Sequence, residues 1–263
     1  MTVILGILNI TDDSFSDGGK YLDPEAAIAQ GKALAAQGAD VLDIGAASSN
    51  PNSRGVAPEV EIARLASVLP ALAGVPLSID TFSPPVQRWA LAEGVAYLND
   101  IEGFADPALY PDLAAARSKL IVMHSVQQRG PATRVHIPAG EIMDRVIRFF
   151  DTRLAVLEKA GVARERLILD PGMGFFLGSD PQASFTVLRQ LPDLKARYGL
   201  PLLVSVSRKS FLRRITGKNA AEAGPASLAA ELHAVRRGAD FIRTHAPGQL
   251  KDALLLEKAL DGG

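Results

Sequence analysis

One unit recurs along this chain and restricts its fold more than any other feature. It is a helix-forming stretch, a glycine, then a short apolar run that closes on a polar residue. Gly38-Ala39-Asp40 leads into Val41-Leu42-Asp43-Ile44-Gly45, and Gly94-Val95-Ala96 into Tyr97-Leu98-Asn99-Asp100. Gly161-Val162 precedes Leu167-Ile168-Leu169-Asp170, and Gly238-Ala239-Asp240 precedes Phe241-Ile242-Arg243-Thr244-His245. Glycine takes the left-handed conformation just past a helix, and apolar runs of this length suit strands covered on both faces. Val3–Leu8, Pro76–Asp80, Leu120–His124 and Leu202–Ser207 bring the runs to eight. Asp23-Pro24, Ser83-Pro84-Pro85 and Asp180-Pro181 supply helix starts between them. Eight alternations without a break in composition predict one domain over residues 1–263, a TIM-type (β/α)8 barrel with a parallel eight-stranded sheet. An open doubly wound sheet is the alternative, but it would more often carry a G-x-G-x-x-G turn, which this chain lacks.

Composition narrows the function classes. With 263 residues, 48% of them hydrophobic, the chain can bury a substantial core. A formal net charge of −1 with no long run of one sign argues against a broad nucleic-acid surface and leaves room for a local anion site. Zero cysteines exclude disulfides, thiolate metal sites and cysteine nucleophiles. The apolar stretch 1–10 is too short for a membrane segment and has no basic residues before it, so a cytoplasmic protein is expected.

Chemistry in such barrels sits at the C-terminal ends of the strands. Those ends read Asn9, Asp43, Asp80, Asn99-Asp100, His124, Asp170, Ser207-Arg208-Lys209, and Arg243 with His245. Each alone fits a turn or cap; eight polar endings converging on one rim do not. Asp80, Asn99 and Asp170 suit a flat heterocycle bearing amino and ring N–H groups. Lys209, Arg208, Arg243 and His245 suit an anion such as a diphosphate. Asn9 offers a carbonyl oxygen to a Mg²⁺ shared with that anion. A base-like ring, a diphosphate and a metal together point to a transferase with a diphosphate leaving group. His124 reads as a satisfied core histidine, Met123 as packing able to lie on a ring, and Asp43 as support or structure. His136 and His233 carry no assignment, and no histidine pair has zinc spacing. Two polar loops, Thr11–Lys20 and Ala46–Gly55, are candidate lids over the rim.

These motifs resemble those of dihydropteroate synthases. Gly6-Ile7-Leu8-Asn9-Ile10-Thr11 with Asp13-Ser14-Phe15-Ser16-Asp17-Gly18-Gly19 is similar to that family's N-terminal signature. Ile79-Asp80-Thr81, Asn99-Asp100-Ile101, Met123-His124, Asp170-Pro171-Gly172, Ser207-Arg208-Lys209-Ser210 and Arg243-Thr244-His245 match its other strand-end motifs in order. The resemblance implies an enzyme of folate biosynthesis that joins 7,8-dihydropterin pyrophosphate to p-aminobenzoate, releasing diphosphate. It implies that Asp80, Asn99 and Asp170 hold the pterin, with Met123 and Lys209 lining its pocket. Asn9, Arg243 and His245 would hold the Mg²⁺-diphosphate. Ser49, Pro51, Phe175, Phe176, Arg208 and Ser210 are the candidate walls of the aminobenzoate pocket. A homodimer through the late helices, around Leu228–Ala234 and Leu254–Leu260, is also implied.

Two segments depart from the family pattern. The second loop reads Ala47-Ser48-Ser49-Asn50-Pro51 where the family usually has Glu-Ser-Thr-Arg-Pro; Arg54 is the available replacement for the missing arginine. Phe176-Leu177-Gly178-Ser179 follows Gly174-Phe175 without the usual lysine, and this loop is expected to be about two residues longer than usual. Both departures are similar to the Sul-type, sulfonamide-insensitive branch. A methyl-tetrahydrofolate-dependent methyltransferase domain would share the pterin-facing residues without needing the cationic cluster. A non-catalytic pterin-binding protein is the reading that the altered second loop keeps open.

Overall fold

The computed structural model describes residues 2–11, 23–49, 55–127 and 129–262. Strand and helix alternate in it: β1 (Val3–Asn9), α1 (Pro24–Ala36), β2 (Val41–Gly45), α2 (Pro58–Leu72), β3 (Leu77–Asp80), α3 (Pro84–Ala92) and β4 (Tyr97–Asp100). Next come α4 (Tyr110–Ala115), β5 (Lys119–Met123), α5 (Ile142–Lys159), β6 (Leu167–Asp170), α6 (Pro181–Arg189) and α7 (Leu191–Tyr198). The chain ends with β7 (Leu203–Val204), α8 (Ser210–Thr216), α9 (Gly224–Arg236), β8 (Phe241–Thr244) and α10 (Pro247–Leu260).

The eight strands form one parallel sheet in the order β6-β5-β4-β3-β2-β1-β8-β7. A single bridge between Leu169 and Leu202, with the Leu169 amide donating to the Pro201 carbonyl at 2.9 Å, closes it into the expected (β/α)8 barrel. The weak strand is β7. Its ladder spans two residues, whereas the apolar run promised Leu202–Ser207; the chain beyond Val204 leaves the ladder on its way to a left-handed turn at Arg208.

Local signals explain the element ends. Asp23 and Asp180 accept from the amides of Glu25 and Gln182 at 3.0 and 2.9 Å, and each stands before a proline that opens a helix. Ser83 precedes Pro84 in the same way without a side-chain cap. Gly38, Gly94, Gly161 and Gly238 end helices with φ between 72° and 103°, the region that side chains with a Cβ avoid.

Of three apolar bodies, two build the barrel. The larger lies between the sheet and the helices. The smaller fills the lower barrel interior with Leu5, Val41, Ile121, Ile168, Leu203 and Phe241. Because strand side chains alternate, the next inward residues along these strands are Ile7, Asp43, Met123, Asp170, Ser205 and Arg243. The barrel interior therefore changes from apolar to mostly polar in one step toward the C-terminal rim. Among the described residues, no helix is long and apolar enough to cross a membrane.

Candidate active site

Asp170 ends β6, and the two residues after it determine how it points. Its Oδ1 accepts from the Gly172 amide at 2.8 Å, a turn that side-chain oxygen and backbone close together and that leaves the second oxygen for another partner. Gly172 adopts φ 75°, and a Cβ there would lie 2.4 Å from the His124 carbonyl oxygen, so only glycine serves. His124 Nδ1 donates to the Pro171 carbonyl at 3.1 Å, fixing the same turn from the other side. Burial pushes the His124 imidazole down to about 4, and the charge of Arg145 adds to this against the Pro171 carbonyl. The ring is neutral and structural, as its sequence context suggested.

Across the barrel, Arg243 organises three strands. Its Nε bonds Asp43 on β2, and its Nη2 bonds Asp80 on β3 at 2.7 Å. Asp43 is fully buried and also receives Asn99 Nδ2 at 3.4 Å. Asp43 is thus the anchor to which a cation and an amide of the site are tied. Burial disfavours the charged guanidinium, but Asp43 and Asp80 outweigh it and raise its pKa. Burial also pushes Asp80 up to about 6, opposed by Arg243 and reinforced by Asp43. Asp170 rises to about 6 for the same reason, opposed by the Gly172 amide and by Lys209. Lys209 falls to about 8 through burial and the nearby Arg243. Each carboxylate is favoured by the cations and each cation by the carboxylates, while the like charges oppose one another.

Asp80, Asn99, Asp170, Lys209, Met123 and Phe176 line one narrow cavity. The Lys209 ammonium sits 5.1 Å from the centre of the Phe176 ring. Asn99 Oδ1, Ser205 Oγ and Asp43 Oδ1 are buried without a hydrogen-bond partner among the described residues. Polar atoms left this way cost about 1–3 kcal/mol each, and Asn99 and Ser205 belong to residues lining this cavity. These atoms lie just behind the cavity wall.

A second cavity of about 380 Å³ adjoins the first; Ser49, Asp80, Ser205, Lys209 and Arg243 line both. Asn9, Thr11, Ser48, Ser207, Arg208, Arg213 and His245 make its remaining polar wall. Arg208 holds a left-handed φ of 57°, with its amide donating to Ser227 Oγ of α9 at 2.9 Å. For a residue with a side chain this conformation is strained and persists only when its surroundings hold it. It lines the cavity of Asn9 and His245, in company with the cations that the strand-end pattern groups it with, whereas the family resemblance sets Arg208 beside aminobenzoate. His245 Nδ1 lies 2.9 Å from Ser207 Oγ. Burial pushes this imidazole down to about 3, with Arg208, Arg243 and Lys209 adding to the effect, so it offers a hydrogen bond and no charge. Among the described residues, no group of three or more His, Asp and Glu could hold a metal. A cation here would rest on Asn9 and on oxygens of an anion beside it, a donor set that fits Mg²⁺.

The Phe-rich segment folds as a short 3-10 turn, Gly174–Leu177. Phe176 is buried against Ile101, Met123 and Ala132, while Phe175 is half-buried, 5.7 Å from the guanidinium of Arg134. Gly174, at φ 66°, lies against Lys209 and against the Ser210 hydroxyl. Pro51, Arg54 and most of the two candidate lids lie outside the described residues.

Sequence reasoning missed several parts. Ser205 carries a readable signal, since Val204-Ser205-Val206-Ser207 alternates and turns both serines to one side. Arg213 follows Lys209 at helical spacing. Asp100, noted at a strand end, turns out to build its own loop: it accepts from the amides of Glu102 and Phe104 at 2.7 and 2.8 Å and from Gln87 at 2.9 Å. Glu61 of α2 and Glu231 of α9, each 2% exposed, bond Thr81 and Thr244, the residues directly after Asp80 and Arg243. No sequence pattern announces either glutamate.

A family model described as pterin binding enzyme matches residues 5–245. Dihydropteroate synthase type-2 of Escherichia coli is 57% identical over 260 residues, covering 98% of this chain and 96% of the relative. The solved Xanthomonas albilineans dihydropteroate synthase with 4-aminobenzoic acid superposes with a TM-score of 0.88 at 35% identity, covering 99% of this chain and 94% of that one. The same protein in complex with 7,8-dihydropteroate gives 0.86 at 34% identity, with 100% and 94% covered.

Proposed function

Because this chain belongs to the dihydropteroate synthases, pterin-binding transferases, we propose that it condenses 6-hydroxymethyl-7,8-dihydropterin diphosphate with p-aminobenzoate to give 7,8-dihydropteroate and diphosphate. The observation that carries this reading is the juxtaposition of two cavities. One presents buried carboxylates and an amide to a ring, and the other presents Arg208, Arg213, Arg243 and Lys209 to an anion. A methyltransferase acting on a reduced folate has no use for the second.

The pterin lies between Met123 and Lys209, its amino and ring N–H groups donating to Asp80 and Asp170 while Asn99 meets both donors and acceptors. A carboxylate accepting from such groups contributes roughly 1.5–3 kcal/mol per bond. The diphosphate lies against Asn9, His245 and the arginines, where Asn9 would hold a Mg²⁺ that would neutralise part of its charge. Substitution is dissociative: the carbon–oxygen bond to diphosphate breaks first, and the aminobenzoate amine then attacks the pterin cation. Such a reaction needs charge stabilisation at the leaving group and good positioning more than a strong base. The cavity lined by Arg208, Arg213 and Arg243 supplies that charge stabilisation.

Ser49, Pro51, Phe175, Phe176 and Ser210 wall the aminobenzoate pocket. The lengthened Phe segment narrows it beyond what the ring-bearing tail of a sulfonamide tolerates, while a planar carboxylate still enters, which makes the enzyme sulfonamide-insensitive. Leu177 is fully buried and the Phe176 carbonyl accepts from the Val126 amide at 3.0 Å, so shortening this segment would disturb the core. Point changes are the better probe: Phe175→Ala and Phe176→Ala should raise sulfonamide inhibition relative to the aminobenzoate KM. Unchanged inhibition in active variants removes the Phe segment as its cause. A homodimer through α10 fits its exposed Leu255, Leu256 and Leu260 and is read by sedimentation.

The reaction itself is tested by mixing the protein with the dihydropterin diphosphate, Mg²⁺ and p-aminobenzoate. Diphosphate release that depends on aminobenzoate is expected. Binding of the pterin without release would identify a non-catalytic binder.

A further inference from the structure

A cavity of about 450 Å³ opens outside the barrel mouth, between the loop after β4, the end of β5 and the outer part of α5. It shares Ile101 with the pterin-side cavity and is otherwise separate from it. Its floor is apolar, with Ile101, Val126 and the half-buried Phe149 ring, which stands edge-on to His124 at 5.3 Å. Its rim is cationic, carrying Arg129, Arg145, Arg148 and Arg153 against one acid, Glu102. That acid is already engaged, accepting from the Gly130 amide at 2.6 Å, while Arg145 also pairs with Glu141 outside the cavity at 3.1 Å.

Two buried polar atoms behind the cavity wall are left without a hydrogen-bond partner among the described residues. Ser125 lines it at 8% exposure, and its hydroxyl has no hydrogen-bond partner among the described residues. Arg153 spends Nη1 on the Phe104 carbonyl and the Tyr110 hydroxyl, both at 3.2 Å, yet its buried Nε is unpaired. An apolar floor with convergent guanidinium groups is a common form of small-molecule site, and planar guanidinium matches carboxylate and phosphate oxygens in pairs.

We propose that this cavity is an accessory site for a small organic anion. The ligand's apolar body rests on Phe149 and Val126, and its phosphate or carboxylate group meets Arg145 and Arg148. The site stands apart from the reacting groups and does not depend on which pterin chemistry they perform.

Fluorescence titration of the full-length protein with 1-naphthyl phosphate and, separately, 1-naphthoate tests this. Saturable binding of at least one is expected, and the tighter of the two names the preferred oxyanion. Arg145 and Arg148 are exposed, so the double variant Arg145→Ala/Arg148→Ala should keep its circular dichroism and bind at least tenfold more weakly. Thr152→Trp, at the exposed edge of the cavity, should block it without changing charge. Lys209→Ala should leave binding unchanged. The proposal is overturned if folded wild-type protein shows no saturable binding of either compound. Binding that survives both cavity variants but is lost in Lys209→Ala overturns it equally, because the compound would then occupy the reaction site.

Discussion

Two successive layers of the barrel interior share one scaffold and differ in nearly everything else. The lower layer is Leu5, Val41, Tyr97, Ile121, Ile168, Leu203 and Phe241. Two residues further along the same strands stand Ile7, Asp43, Asn99, Met123, Asp170, Ser205 and Arg243. At roughly 3.3 Å per residue the layers are about 7 Å apart. The lower one is held by apolar burial and close packing, which are indifferent to pH and partner. The upper one holds charges removed from water, stabilised by each other and by a few hydrogen bonds, and left with unpaired oxygens. Stability is concentrated in one layer and recognition in the next, and a step of one pleat separates them.

Substitutions in each layer sharpen the contrast. The largest effect is expected from Arg243→Met, which leaves the fully buried Asp43 and its neighbour Asp80 without their cation; breaking such a pair costs ~3–5 kcal/mol. Urea denaturation reads it, and an unchanged midpoint would mean that the charges of the upper layer are not mutually dependent. Ile168→Ala, directly below Asp170, should cost roughly 2–5 kcal/mol of stability. Pterin affinity of the protein that remains folded should hold; a parallel loss of affinity would show that the layers are not separable.

Asp170→Asn is the complement: the amide oxygen still accepts from Gly172, so stability changes little. The other position now presents a donor to donors, and pterin affinity should fall by roughly 10- to 100-fold, matching the ~1.5–3 kcal/mol of a charge-assisted hydrogen bond. Calorimetric titration with a pterin measures it, and retained affinity would mean that the ring is held elsewhere.

The smallest effect is on pH dependence. Asp80 and Asp170 have folded values near 6, above the ordinary 3.8. The folded state therefore binds more protons than the unfolded state between about pH 4 and 6, and these groups lose their contribution to stability as pH rises through that window. Urea midpoints across this range should show a shallower decline for Asp170→Asn than for the parent chain. Identical slopes would place the raised pKa elsewhere.

The repeat of glycine and apolar run made the barrel legible, because helix stops and doubly buried strands are local matters. Asp80, Asn99 and Asp170 were legible for a related reason: polar residues at strand ends are conspicuous after apolar runs. Partnership was not legible. Arg243 was expected to face diphosphate, and it lines that cavity, but two of its nitrogens are committed to Asp43 and Asp80, residues 200 and 163 positions away. Nothing local to Asp43 reveals that it anchors another residue's cation. Glu61 and Glu231 escaped notice because a glutamate on a helix ordinarily faces water. The Arg129–Arg153 cavity escaped because its cations come from a loop and three turns of one helix.

The seam of the barrel has a mechanical meaning. Between β6 and β7 the wall is joined by one bridge, Leu169 to Leu202, where other neighbouring strands share ladders of two to five residues. A cylinder stapled at one point along one edge is a curled ribbon with a clasp. Asp170 lies just above the clasp on one side, and Lys209 follows the strand on the other. Asp170 and Lys209, the acid and the cation of one cavity, therefore face each other across the seam where the fewest ladder bonds hold the wall together.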